Sequence, residues 1–82
     1  MKEETKMKEM LETIAKYLVN NPDQVAVTEV EGEQSVILEL RVAQEDMGRV
    51  IGKEGKIAKA IRTLVKANAA KLNKRVNVEI IE

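Results

Sequence analysis

Two glycines three residues apart, Gly52 and Gly55, sit in the stretch Val50-Ile51-Gly52-Lys53-Glu54-Gly55-Lys56-Ile57, with Arg49 just before it and Lys59 just after. The second glycine opens a segment of helical periodicity, so the spacing predicts a tight turn that delivers the chain to a helix N-terminus. Glycine admits backbone angles closed to other residues and lets another backbone approach closely. The first N–H groups of a helix are unpaired and carry partial positive charge. The chemistry on offer is anion binding, with phosphate the expected guest.

The spacing discriminates among phosphate motifs. A dinucleotide fingerprint needs a glycine where Val50 stands and a strand directly before the turn. A nucleotide P-loop needs a glycine five residues before Gly55 and a hydroxyl residue after Lys56, where the chain has Val50 and Ile57. What remains is G-x-x-G with Val50-Ile51 before it and Ile57 and Ile61 after it, the pattern of the KH module, whose loop clamps single-stranded backbone. The plain alternative is an ordinary turn between two helices.

Composition narrows the chemistry further. At 82 residues the chain is one small domain, 1–82, with room for a core but not for a large enclosed active site. It has no cysteine and no histidine, which removes disulfides, thiolate nucleophiles, soft metal sites and the commonest general base. No apolar run approaches the roughly 20 residues of a membrane span, and the first residues lack a signal-peptide core, so a soluble cytoplasmic protein is expected. The formal net charge is zero, yet charge is segregated. From Arg49 to Arg75 the basic residues include Lys53, Lys56, Lys59, Arg62, Lys66, Lys71 and Lys74, opposed only by Glu54, while most of the acid precedes Arg49. Such segregation points to a polyanionic partner, although a lysine-rich helix face also serves simply to meet solvent.

The elements that must position the loop follow from periodicity. Met7, Met10, Leu11, Ile14, Ala15 and Leu18 define one face of a helix starting near Thr5, with residues 1–5 frayed, and ending at Asn20-Asn21-Pro22-Asp23. Tyr17 reads as packing with its hydroxyl exposed, or as a stacking platform. Val25 to Glu31 and Ser35 to Val42 read as a hairpin through Glu31-Gly32-Glu33-Gln34. In the second strand Val36, Leu38, Leu40 and Val42 share a face; the first loses its alternation between Val27 and Val30, which predicts a bulge or a ragged end. Glu45 to Ile51 reads as a short helix with its acids in the first turn. From Lys56 to Asn73, Ile57, Ile61, Leu64, Val65 and Leu72 form an apolar stripe, with Lys59, Arg62 and Lys66 projecting away from it. Ala67, Ala69 and Ala70 favour helix and close packing. Arg75 to Ile81 alternates again, with Val76, Val78 and Ile80 inward.

The order helix, strand, strand, short helix, G-x-x-G loop, helix, strand is that of the type II KH fold. With Ile14-Ala15-Lys16-Tyr17-Leu18-Val19, Thr28-Glu29-Val30-Glu31-Gly32-Glu33 and the run Asp46 to Arg62, the chain resembles the KhpA family of small bacterial KH-domain proteins from Met10 to Ile81. The resemblance implies an α+β domain (α-β-β-α-α-β), with a three-stranded mixed sheet and three helices packed on one face. It implies a non-catalytic RNA-binding protein of the bacterial cytoplasm, with no cofactor, metal or small-molecule substrate. Its implied partners are single-stranded RNA and a larger KH protein of the KhpB type, also called Jag or EloR, in post-transcriptional regulation linked to cell elongation and division. A homodimer is the other expected assembly.

By motif match, Gly52, Lys53, Glu54 and Gly55 take the place of the backbone-clamping loop, with Arg49, Lys56 and Lys59 adding charge. Val50, Ile51, Ile57, Ala58 and Ile61 would line the base groove; Ile57 and Ile61 are also needed to cover the sheet. Glu54 departs from loops that are basic at both variable positions, which implies modest affinity supplemented by a partner through avidity. The near absence of aromatic residues excludes the stacking platforms of other single-strand binders. A dimerisation module in which RNA is incidental is the rival reading; an enzyme is disfavoured because no nucleophile, base and orienter set is visible.

Overall fold

The computed structural model describes residues 2–70 and 73–81, with side chains from Lys6 onward. Helix α1 spans Lys2–Leu18, three residues longer at its start than the apolar stripe demanded. It buries Met7, Leu11 and Ala15, with Met10, Ile14 and Leu18 partly covered beside them. The helix closes with the Val19 N–H on the Ala15 carbonyl at 3.2 Å, and Pro22 then opens a 3-10 turn, Pro22–Gln24.

Strands β1 (Ala26–Glu31) and β2 (Ser35–Arg41) pair antiparallel, and β3 (Arg75–Ile81) pairs parallel to β2, giving the order β1-β2-β3. The hairpin is closed by the Gly32 N–H on the Ser35 carbonyl at 2.7 Å. The expected irregularity in β1 does not occur: its register is continuous from Ala26↔Arg41 to Glu31↔Val36. Val27 faces the core, while Val30 takes the opposite face beside Ile37 and stays 47 % exposed, so polarity breaks there and the backbone does not.

A parallel pair needs a crossover connection, and here that crossover carries the glycine loop. It runs through a 3-10 turn (Gln44–Asp46), helix α2 (Met47–Ile51), a second 3-10 turn (Lys53–Gly55) and helix α3 (Lys56–Ala69). The inward residues Val27, Val36, Leu38, Leu40, Val76 and Val78 meet α1 and α3, and Val50 brings α2 into the same core. The stripe of α3 needs correction. Ile61, Val65 and Ala69 are buried, but Leu64 is 49 % exposed, because it lies about a quarter turn from the line running through them. The helix ends at Ala69 rather than Asn73; Leu72 lies outside the described residues, and Asn73 adopts a left-handed conformation (φ 56°) that asparagine tolerates. Among the described residues no helix is long and apolar enough to cross a membrane, and no cluster of acidic side chains is arranged to hold a metal.

Candidate nucleic-acid interface

The loop departs from helical geometry at three residues. Gly52 has φ 77° and ψ 172°, a conformation almost confined to glycine. Space is just as restrictive there, since a Cβ would stand 2.5 Å from Ile57 Cγ1 and 2.9 Å from its Cβ. Glu54 (φ 58°, ψ 24°) and Gly55 (φ 75°, ψ 13°) are both left-handed, and a Cβ at position 55 would meet nothing within 4 Å. The first glycine is therefore needed for angle and room, the second for angle alone.

Backbone hydrogen bonding decides which amides remain available. The Gly52 N–H donates to the Gly48 carbonyl at 2.9 Å and the Gly55 N–H to the Gly52 carbonyl at 3.1 Å. The Lys56 N–H closes the turn on the Lys53 carbonyl. Of the four loop amides expected to bind phosphate, the two glycine amides are thus spent internally, because a turn this tight satisfies itself. Those of Lys53 and Glu54 have no partner among the described residues. Among the described residues no side chain caps the start of α3.

The side chains separate by burial. Lys53, Glu54, Lys56 and Lys59 are exposed, and no ion pair involves any of them among the described residues. Of the five apolar groove candidates, Val50, Ala58 and Ile61 are buried at 0 %, 4 % and 2 % exposure, since all three face the helix–sheet core. Ile51 and Ile57 keep accessible surface. Tyr17 is 87 % exposed on α1, so it does not pack as expected.

Sequence reasoning also placed Asp46 wrongly. Its carboxylate is fully buried and accepts from the Asn20 N–H (3.1 Å), the Asn21 N–H (3.1 Å) and Asn21 Nδ2 (2.9 Å). It binds the end of α1 to the start of α2. Burial would push this carboxyl up, but the Asn21 side chain, the two amides and the Arg49 charge outweigh it, leaving the carboxyl below the ordinary aspartate value. Arg49 Nε lies 3.8 Å from Asp46 Oδ1, and the guanidinium is half exposed. No local pattern in the sequence marks it, because its partners lie 25 and 26 residues upstream.

A cleft of about 290 Å3 lies at the far end of α3 against Lys66, Ala70, Arg75 and Asn77. Its Lys74 is paired with Glu31 at 2.6 Å, and the lining contains no set of groups arranged for catalysis.

A three-stranded mixed sheet with α-β-β-α-α-β order, carrying a G-x-x-G turn between its second and third helices, defines a type II KH domain. The description "KhpA/KhpB, KH domain" matches residues 8–80, and the chain belongs to that family. It is 72 % identical over 75 residues to the RNA-binding protein KhpA of Clostridium acetobutylicum, covering 92 % of this chain and all of that one. It is 52 % identical to the Borreliella burgdorferi protein of the same name over the full length of both. Among solved structures, Era of Aquifex aeolicus, bound to GDP and AlF4−, superposes with a TM-score of 0.66 at 20 % identity. That match covers 94 % of this chain and 30 % of Era, and shows the shared fold.

Proposed function

We propose that the protein is a non-catalytic RNA-binding module that holds single-stranded backbone at the Gly52–Gly55 turn. The observation that carries this reading is the turn itself, where, among the described residues, the Lys53 and Glu54 amides and the side chains of Lys53 and Lys56 have no partner. Membership of a family whose relatives are named RNA-binding proteins supports it. Phosphates would be positioned by these amides and cations, and bases of about four nucleotides would lie over Ile51 and Ile57. Val50, Ala58 and Ile61 would support that floor from beneath. With no aromatic side chain in the floor, sequence preference should be weak. In the bacterial cytoplasm such a protein would act in post-transcriptional regulation, with a KhpB-type partner supplying avidity.

The test replaces Lys53 and Glu54 with aspartates. Aspartate accepts the left-handed conformation of position 54, so thermal stability should change little while RNA binding is abolished. In the native protein, log affinity should fall with log salt by about 0.7 per phosphate contact. Wild-type affinity in the double variant would sink the clamp.

A second reading has its own observation. Exposed Leu64 lies between Ala60 and Ala67 on the outer face of α3, a small apolar strip suited to a second copy or a KhpB-type domain. Sedimentation with and without RNA separates the readings, because a pure pairing module assembles identically in both.

A further inference from the structure

Among the described residues, Arg49 is a cation beside the loop that other elements hold. Asn20, in the segment after α1, accepts from Arg49 Nη2 at 3.1 Å and from Nε at 3.3 Å when its carboxamide oxygen faces the guanidinium. Asn20 is itself fixed, because its backbone N–H donates to the buried Asp46 carboxylate. Asp46 Oδ1 also stands 3.8 Å from Arg49 Nε.

A guanidinium offers two edges that each present paired N–H groups: Nε with Nη2 along its side, and Nη1 with Nη2 at its end. Asn20 and Asp46 occupy the side edge. The end edge remains, on a side chain that is 53 % exposed and three residues before Gly52. Lys53, Lys56 and Lys59 have no comparable tether among the described residues.

We propose that Asn20, anchored by Asp46, is a positioning residue that locks Arg49 so that its end edge receives one phosphate of the strand held at the loop. The inference rests on the RNA-binding reading and adds a division of labour to it. The loop lysines supply mobile charge, whereas Arg49 supplies a contact of fixed direction. A side chain immobilised beforehand does not lose its rotamer freedom on binding, an advantage of about two- to tenfold in affinity. A lysine at position 49 would carry the charge without the two edges.

The experiment is a double-mutant cycle on the full chain, read by fluorescence anisotropy with labelled oligouridine and accompanied by thermal melts. Asn20→Ala keeps the backbone N–H that Asp46 uses and keeps every charge. It should weaken binding about two- to tenfold at an unchanged salt slope. Arg49→Ala should weaken binding further and lower the slope by about 0.7. The double variant should bind as Arg49→Ala alone does, since the asparagine acts only through the arginine. Arg49→Lys should retain the slope and become indifferent to Asn20→Ala. Full affinity in Asn20→Ala, or losses that add independently, would overturn the proposal. A merely structural role for Asn20 would lower the melting temperature and weaken Arg49→Ala further. The aspartate variant of Lys53 and Glu54 separates the two levels of inference. If it binds normally, RNA recognition at the loop fails; if it loses binding while Asn20→Ala does not, only the positioning role fails.

Discussion

Helix α2 is five residues long and its two ends are opposites. At its start, the buried Asp46 carboxylate is saturated by three N–H donors from the segment after α1. At its finish, the Gly52–Gly55 turn leaves two amides and several cations without partners among the described residues. A helix of this length has little stability of its own. The contrast teaches that fixing one end lets the other keep unpaired groups open to solvent without the segment fraying. Unsatisfied groups are tolerated where water reaches them, and the bonds that hold α2 are concentrated where it does not.

The comparison can be broken from the open end first. Gly52→Ala should be the largest effect, because alanine there meets both a glycine-only backbone conformation and the Ile57 side chain. A loss of about 2–5 kcal/mol is expected from strain and overpacking together, read as a large fall in the denaturation midpoint. Gly55→Ala faces only the left-handed angle, and should cost about 1–2 kcal/mol. Equal losses at the two glycines would mean that the contact with Ile57 is not what distinguishes them.

At the closed end the expected signature is a dependence on pH. The folded pKa of Asp46 lies below its unfolded value near 3.8. Its contribution is therefore fully present above about pH 4 and is lost as the pH falls through the folded value. Stability of the native protein minus that of Asp46→Asn should be constant at neutral pH and shrink under acid conditions. A difference that grew on acidification would show that the carboxylate is not held in its charged form.

The division between the two ends also explains what could be read from the chain. The sheet strands, the amphipathic face of α1 and the G-x-x-G turn were legible because burial and backbone angle leave periodic or glycine signatures, as in Val36, Leu38 and Leu40 or in Gly52 and Gly55. Asp46 was not, because an aspartate ahead of a short helix fits a solvent-exposed first-turn acid equally well. Its partners lie 25 and 26 residues away, and no local pattern reports them. Leu64 misled for a related reason: hydrophobicity marks a stripe but does not fix its width. The split of the groove candidates into surface and core was likewise illegible, since isoleucine suits both.

The parallel pairing of β2 with β3 carries a consequence for how the protein is made. β2 is the middle strand, and its second neighbour, β3, leaves the ribosome only after the glycine loop and α3. A nascent chain that has emerged only through α3 already contains every loop residue, yet the strand against which α3 chiefly packs is still missing. On the proposed reading of the turn, competence for RNA there should therefore arrive in one step with the seven residues of β3.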